Sequence, residues 1–433
     1  MGRRWYLFGR FRFDGELLYR ETTPVALRLP HAQVLLLIEN CGHLVKKEQL
    51  TKACGVGAVD NTVNRAVCEL RKALGIADAG ATIDLTGVWI RTVEGQGYVF
   101  EDPCGKLEVL DKPAIEAERD YYEGLERWNR REPEAVLRAR DCVNRALKRE
   151  PRYARAYSFL ADTYAVLGAY WWMAPQAAAD KAILAAQRAL DFDRQLAEPH
   201  ATFGFVRGLF QHRWSEAEQA FHTCLDHAPG YGVGHHWFAL HLAATCQLAD
   251  AAREIEQARS ADRSRSVDVH RAAIQYWARA YDDAEQLCLR ALEEHPDFWY
   301  AHYQLGLIYE AQRRFHDALQ KQRDAINCVE GPTSLTLAAQ ARAAALAGER
   351  GQAQQLLAQA CSAPRGMLAS FHVASVHAAL GDHGRAFAAL ENACAAQDLW
   401  MAYVAVDPRM DDLRSDSRFA RVLSKLNLSG VAA

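Results

Sequence analysis

The sequence predicts a mainly α-helical chain, a small mixed α/β head over residues 1–102 followed by an all-α solenoid. Three observations predict it. Short alternating stretches before residue 102 give way after residue 113 to helical spacing throughout. Within the head, an amphipathic run from Asp60 is followed by a glycine-broken ribbon ending R-T-V-E-G-Q-G-Y-V. Through the rest of the chain, small residues recur at a period of about 34 residues, as in stacked helix–turn–helix repeats.

Composition sets the frame. The chain has 433 residues, 50% of them hydrophobic and 24% charged, and too many for one ordinary domain. The net charge is -3, with 13 Lys+Arg against 12 Asp+Glu before residue 103 and 38 against 42 after it. No global basic field advertises nucleic acid, so a DNA-binding surface must come from local clustering. Eleven dispersed cysteines without a C-x-x-C pair suggest reduced thiols and a cytoplasmic protein. The start, M-G-R-R-W-Y-L-F-G-R, lacks the apolar run of a signal peptide. The charge-free stretches 163–179 and 227–249 carry Pro, Gly and Gln, so no membrane span is expected.

In the head, W-Y-L-F, F-R-F-D and E-L-L-Y-R read as short strands with turns at Gly9 and Asp14-Gly15. Pro30 opens an apolar helix, H-A-Q-V-L-L-L-I-E-N, that Cys41-Gly42 ends. Lys46 to Cys54 reads as a second, shorter helix, and Asp60 as the N-cap of a third. Along that third helix Val63, Val67, Leu70 and Leu74 share one face, at i, i+4, i+7 and i+11. Asn61, Arg65, Cys68 and Lys72 fall opposite, with Glu69 at the border. The β-formers from Ile83 to Phe100, broken by Gly87, Gly95 and Gly97, read as a hairpin. A helix with one buried and one polar face, closed by a hairpin wing, suits a DNA major groove.

Residues 103–113 read as a linker, and residues 114–398 as about eight helical repeats. The register set by Pro151, Pro229 and Pro296 starts repeats near 120, 154, 198, 232, 265, 299, 334 and 367. Ala139, Ala182, Ala217, Ala251, Ala284, Ala318, Ala353 and Ala386 then fall in phase. Seven residues later come Ala146, Ala189, Cys224, Ala258, Ala291, Ala325, Ala360 and Ala393. These are the expected contact points of paired helices in an α-solenoid. One repeat is about ten residues over register, and its insertion is expected as an aromatic loop, L-G-A-Y-W-W-M-A-P-Q. Residues 399–433 break the pattern and are expected to cap the last repeat.

Asp60-Asn61-Thr62-Val63, Leu70-Arg71-Lys72-Ala73-Leu74-Gly75, Arg91-Thr92-Val93 and Gly95-x-Gly97-Tyr98 carry a family resemblance. Residues 1–102 resemble the OmpR/PhoB-type winged-helix domain, in its ToxR/CadC-like branch. On Y-Y-E-G-L-E-R-W-N-R-R-E-P-E-A, A-E-P-H-A-T and G-H-H-W-F-A, the repeats resemble tetratricopeptide repeats (TPR). The combination is similar to HilA-like transcription activators. It implies a sequence-specific regulator whose partners are promoter DNA and RNA polymerase, with a protein, peptide or small ligand at the solenoid, and a homodimer. No receiver domain or membrane anchor is legible, so the repeats are expected to supply the signal. Between the two wing glycines, where many relatives carry Arg, stands Gln96.

The resemblance places Asn61, Arg65 and Glu69 on the groove-facing edge, with Thr62 and Lys72 nearby. Asn61 would read adenine, Arg65 guanine and Glu69 cytosine. Against this, Arg65 and Glu69 have the i, i+4 spacing of an ordinary surface ion pair. Arg71, Lys46, Lys47 and Arg91 are phosphate candidates. A competing reading makes the chain a TPR scaffold whose winged helix no longer binds DNA. Trp171, Trp172 and Met173 in the long loop, with Trp237, Trp277 and Trp299, are candidates for a partner or ligand site. Seven histidines lie between His200 and His241, but the H-x4-H pairs His222/His227 and His236/His241 diverge on a helix, so no metal site is expected. No nucleophile elbow, P-loop, dinucleotide fingerprint or H-E-x-x-H occurs, so no cofactor and no catalytic residue is expected.

Overall fold

The computed structural model describes residues 5–8, 11–13, 18–20, 23–25, 31–53, 60–73, 90–94, 96–101, 108–110, 112–129, 133–261, 264–329, 331–362 and 368–429. The chain divides into two compact units, residues 1–126 with 145–151 and residues 127–144 with 152–433.

In the first unit, short strands β1 (Trp5–Phe8), β2 (Phe11–Phe13), β3 (Leu18–Arg20) and β4 (Thr23–Val25) precede α1 (His31–Glu39). Next come β5 (Leu44–Lys46), α2 (Lys47–Ala53), α3 (Asp60–Ala73), the hairpin β6 (Ile90–Val93) and β7 (Gly97–Phe100), β8 (Glu108–Leu110) and α4 (Lys112–Trp128). Among the described residues the strands form two antiparallel sheets, β4-β3-β2-β1-β8 and β5-β7-β6. The expected order of short sheet, three helices and hairpin is present, with three corrections. Lys46 ends a strand rather than starting a helix, because Leu44–Lys46 pairs with β7 in register Val45↔Tyr98. The segment read as a linker contributes β8, whose Val109 pairs with Tyr6 of β1. The third correction is one of extent, since the first compact unit runs to Glu126, well past residue 102.

The head core gathers Phe11, Phe13 and Leu18 from the first sheet, Leu37 and Ile38 from α1, and Val63, Val67 and Leu70 from α3. The apolar face read on α3 is therefore the buried one, while Asn64 and Cys68 are exposed. Leu74 and the stretch 83–89 lie outside the described residues. Gly97 of β7 is buried against β5, and a side chain there would strike the Val45 carbonyl oxygen.

The second unit alternates inner (A) and outer (B) helices. It contains α5 (Pro133–Arg149) up to residue 144, then α6 (Ala154–Ala169), α7 (Pro175–Phe192), α8 (Glu198–Phe205), α9 (Trp214–His227), α10 (Gly232–Ala244), α11 (Leu248–Ala261), α12 (Arg265–Trp277) and α13 (Tyr281–Glu294). It continues with α14 (Trp299–Ala311), α15 (Phe315–Asn327), α16 (Ser334–Leu346), α17 (Arg350–Cys361), α18 (Ser370–Ala379), α19 (His383–Ala395) and α20 (Ser417–Lys425). Both small-residue series lie on B helices, and every member is at most 5% exposed. At these positions the helix surfaces meet too closely for a larger side chain. Each A helix from α6 to α18 is followed by a left-handed residue, in turn Trp171, His212, Cys246, Arg279, Arg313, Gly348 and Gly381, with φ from +54° to +85°, α8 after a π-helical continuation over Val206–Phe210. In the α10 turn, the Cys246 N–H donates to the Ala243 carbonyl and the Gln247 N–H to that of Leu242, closing the helix in a Schellman-type cap.

The over-length repeat does not form the expected loop. Its extra residues lengthen α6 and α7 to 16 and 18 residues, against 13 and 14 in α10 and α11, and only a tight turn joins them. Small residues account for this, since Ala178, Ala179, Ala182, Ala185, Ala186 and Ala189 of α7 let the pair stay in contact over its whole length.

The C-terminal segment also differs from expectation. It does cover α19, to which α20 is packed, but it also turns back along the A helices. Tyr403 stacks on Trp277 of α12 at 4.3 Å, and Trp400 meets His372 of α18 at 5.0 Å. Further on, the Trp214 indole at the start of α9 donates to the Leu426 carbonyl (2.7 Å), and Asn427 donates to the His212 carbonyl (3.3 Å). The A helices α10, α12, α14, α16 and α18 are correspondingly buried on more than one side.

Candidate functional site

Two places carry the residues singled out in the sequence, α3 with the β6–β7 hairpin and the inner side of the solenoid. In the head, Arg71 fastens α3 to that hairpin. Its Nε and Nη2 donate to the Ile90 carbonyl (3.2 and 2.7 Å), and Nη2 also reaches Thr92 Oγ1 (2.8 Å). Tyr98 of β7 donates to Asn64 Oδ1 (2.6 Å), a second tie between the same two elements. The phosphate role expected of Arg71 therefore competes with a structural one. Arg91 is exposed but paired with Glu101 at 2.8 Å. The Lys47 backbone N–H donates to the Gln96 carbonyl (3.3 Å), and the Lys46 N–H to Gln49 Oε1 (2.8 Å). The backbone amides of both phosphate candidates thus have partners within the head. Gln96 is exposed at the wing turn. Asn61, Thr62, Arg65, Glu69 and Lys72 lie on α3, but their side chains fall outside the described residues.

In the solenoid, the tryptophans have separate fates. Trp171 is 3% exposed and belongs to the core, not to a surface loop, and Met173 is half-buried. Trp237 and Trp277 are buried, with Tyr403 and Trp400, around a small void on the inner side of the A helices. Trp277 stands at the end of α12 and Trp237 in the middle of α10. The inner face expected to receive a partner is thus covered there by the chain's own C-terminal segment.

At the centre of that cover sits a buried polar network. Arg409 donates to the Asp407 carboxylate (2.7 Å) and, through Nη1, to Tyr303 Oη (3.1 Å). Tyr303 Oη in turn shares a hydrogen bond with His372 Nε2 (2.8 Å). Burial pushes the Asp407 carboxyl up, and the Arg409 guanidinium more than reverses this, so it stays below the usual range. Burial, aided by Arg409, holds His372 well below the ordinary histidine value. Burial likewise raises Asp398 to about 6, against the backbone N–H bonds it accepts from Phe371 and Trp400. Nearby, Arg342 links A helices, donating to Glu310 on α14 (2.9 Å) and to the Ser375 carbonyl on α18 (2.7 Å).

The histidines have separate partners. His235 bonds Glu254 (2.7 Å) and the Pro229 carbonyl, and the first of these raises its pKa most. His241 lies among Trp214, Phe221 and Phe238, where burial lowers it to about 4. His236 instead bonds His270 (2.9 Å) on the next A helix, which meets Tyr300 (3.3 Å) on the one after. This chain of contacts across three repeats has no local sequence signal; only the recurrence of polar residues near the starts of A helices hints at it.

A cavity of about 340 Å³ opens between α5–α6 and α14–α16. Tyr170, Trp172, Trp299, Val329 and Leu335 wall it, with Arg127, Glu134 and Arg138 among its polar lining. Tyr170 and Trp172 meet at 5.0 Å with their ring planes tilted by 30°, and Trp299 meets Tyr170 edge-on at 5.6 Å. Of the three loop residues picked out in the sequence, only Trp172 reaches this cavity.

Residues 287–320 match the family model of the tetratricopeptide repeat. The solenoid is a TPR-type fold. Among solved structures, the chain is similar to that of the APC/C hetero-tetramer Cut9-Hcn1 (TM-score 0.50, 13% identity, covering 73% of this chain and 57% of that one). It is also similar to yeast Tom70 (TM-score 0.42, 14% identity, 87% and 82%). A third is pilF of Pseudomonas aeruginosa (TM-score 0.35, 15% identity, 46% and 89%). No curated protein sequence matches the chain. Among the described residues, no helix is long and apolar enough to cross a membrane.

Proposed function

We propose that this TPR-type repeat protein is a transcriptional regulator that couples an interaction solenoid to a DNA-reading head. The observation that carries the DNA-reading part is the junction of α3 and wing. Arg71 and Tyr98 tie helix and hairpin together, and the buried Val63–Val67–Leu70 face leaves Asn64 and Cys68 exposed on α3. That arrangement suits a helix entering a major groove with a hairpin flanking it. Asn61, Thr62, Arg65, Glu69 and Lys72 would make the base and groove contacts. Lys46, Lys47, Arg91 and Gln96 would lie along the flanks, and RNA polymerase would be the partner at a promoter. The solenoid supports the interaction part, since TPR-type surfaces serve as extended binding surfaces.

A second reading, a scaffold whose head no longer binds DNA, is favoured by the similarities found, which concern the repeats, and by the internal pairing of Arg71 and Arg91. Selection from random duplex DNA by the full chain, alongside an Arg65→Ala/Lys72→Ala variant, decides between them. The regulator enriches a motif that the variant loses, with affinity falling steeply as salt rises. Paired half-sites in that motif would report a dimer. The scaffold enriches nothing above background, and that result would overturn the DNA-reading proposal.

A further inference from the structure

Within the second unit, the end of α6 and the start of α14 meet through aromatic rings. Tyr170 lies edge-on to Trp299 and to Tyr300, with ring centroids 5.6 Å apart in each case. The cavity of about 340 Å³ lies at this junction. Tyr170 and Trp172 come to it from the turn between α6 and α7, and Trp299, Cys328, Val329 and Leu335 from α14 to α16. Its volume falls in the range of small-molecule pockets, and its walls combine ring and aliphatic surface as such pockets do. Trp172 is only half-buried, so a large ring stands partly bare beside the void.

The charges of the lining argue for an uncharged guest. Arg138 meets Glu134 at 2.7 Å, so the two cancel, and with side chains 64% and 54% exposed both stay solvated at the mouth. Arg127 is engaged within the protein. The Thr333 and Thr336 hydroxyls bond each other and the backbone in the capping box that starts α16. A charged guest would leave water without gaining a partner of its own, which is costly. A neutral ring loses little on leaving water and gains face and edge contacts with the walls.

We propose that this cavity binds a small neutral aromatic compound of one or two fused rings, the class of indole and quinoline, against Trp172 and Tyr170. The proposal gives the interaction role of the solenoid a ligand class and does not rest on DNA recognition by the head, because every lining residue lies in the second unit. Such a guest touches the α6–α7 turn and α14–α16 together, so its binding stabilises their junction by mass action.

The test is calorimetric titration of the full chain with indole and with quinoline at neutral pH, alongside thermal unfolding. Indole-3-carboxylate and tryptamine serve as anionic and cationic controls, and cyclohexanol as a non-planar one. Saturable one-to-one binding of the neutral ring compounds is expected, with a raised unfolding temperature and with each control at least about tenfold weaker. Trp172→Ala, which removes the half-buried ring, should weaken binding at least about tenfold. Val329→Trp, which fills the void from the α15–α16 connection and keeps the rings, should abolish it. Arg138→Ala should leave the affinity within about twofold, since the guest makes no use of that exposed charge. Absence of saturation by both ring compounds, a charged control binding as tightly as they do, or a tenfold loss in Arg138→Ala would each overturn the proposal. So would full affinity in a folded Trp172→Ala or Val329→Trp variant. Loss of DNA binding by the head would leave it untouched.

Discussion

His241 shows how much a single side chain here depends on its neighbours. Ringed by Trp214, Phe221 and Phe238, it is 1% exposed, and burial lowers its pKa to about 4. Burial does the same to His212, also to about 4. In the unfolded chain each titrates near 6.5, so the folded state binds fewer protons below that pH. Stability contributed by the neutral rings is thus present above pH about 6.5 and lost as pH falls toward about 4, by on the order of 3 kcal/mol for each histidine. The urea midpoint should fall through that window. His241→Phe keeps the aromatic packing and removes one titrating group, so its decline should be shallower. Parallel curves for parent and variant would exclude His241 as a source of the acid sensitivity. The burial of this side chain is not written in its neighbours in sequence, because Trp214 and Phe221 come from a different helix.

Elements tell the same story at a larger spacing. The α3 face was readable from residues 60–74, since burial there follows helical periodicity, and Val63, Val67 and Leu70 are indeed in the core. The tie between α3 and the wing was not readable, because Arg71 and Ile90 meet through space across a separation of 19 residues. That tie predicts a measurable weakness. Arg71→Met keeps the apolar stem but removes three donated hydrogen bonds and leaves the Ile90 carbonyl without them. The expected cost is about 1–3 kcal/mol, with faster amide exchange across β6 and β7. Unchanged exchange in those strands would show that the hairpin is held by other contacts. Strands β4, β5 and β8 escaped the sequence reading for a related reason. Each is three residues long, and its strand character comes from its partner rather than from its own pattern.

Within the second unit as a whole, the decisive feature is the return of residues 399–428 along the A helices. Trp400, Met401, Tyr403, Met410, Leu413 and Phe419 are all at most 5% exposed. Each large apolar side chain contributes about 1.5–3 kcal/mol when buried, and a domain's whole stability is about 5–15 kcal/mol. Removing residues 399–433 should therefore leave the solenoid unable to unfold cooperatively at its normal temperature, with dye-binding apolar surface exposed. Tyr403→Ala, which removes the stack on Trp277, should cost about 3–5 kcal/mol by itself. A truncated chain that melts where the full chain does would show the segment to be a passive cover.

The sequence by itself determined the helical repeats, their register and the small-residue contacts between helix pairs. These depend on short-range periodicity and on side-chain size, which a linear string records. Tertiary structure alone decided that the C-terminal segment folds back to α9, that Trp171 is core while Trp172 walls a cavity, and that His236, His270 and Tyr300 meet across repeats. Those outcomes turn on superhelical curvature, the sum of small rotations at each helix pair. No single window of sequence contains that sum.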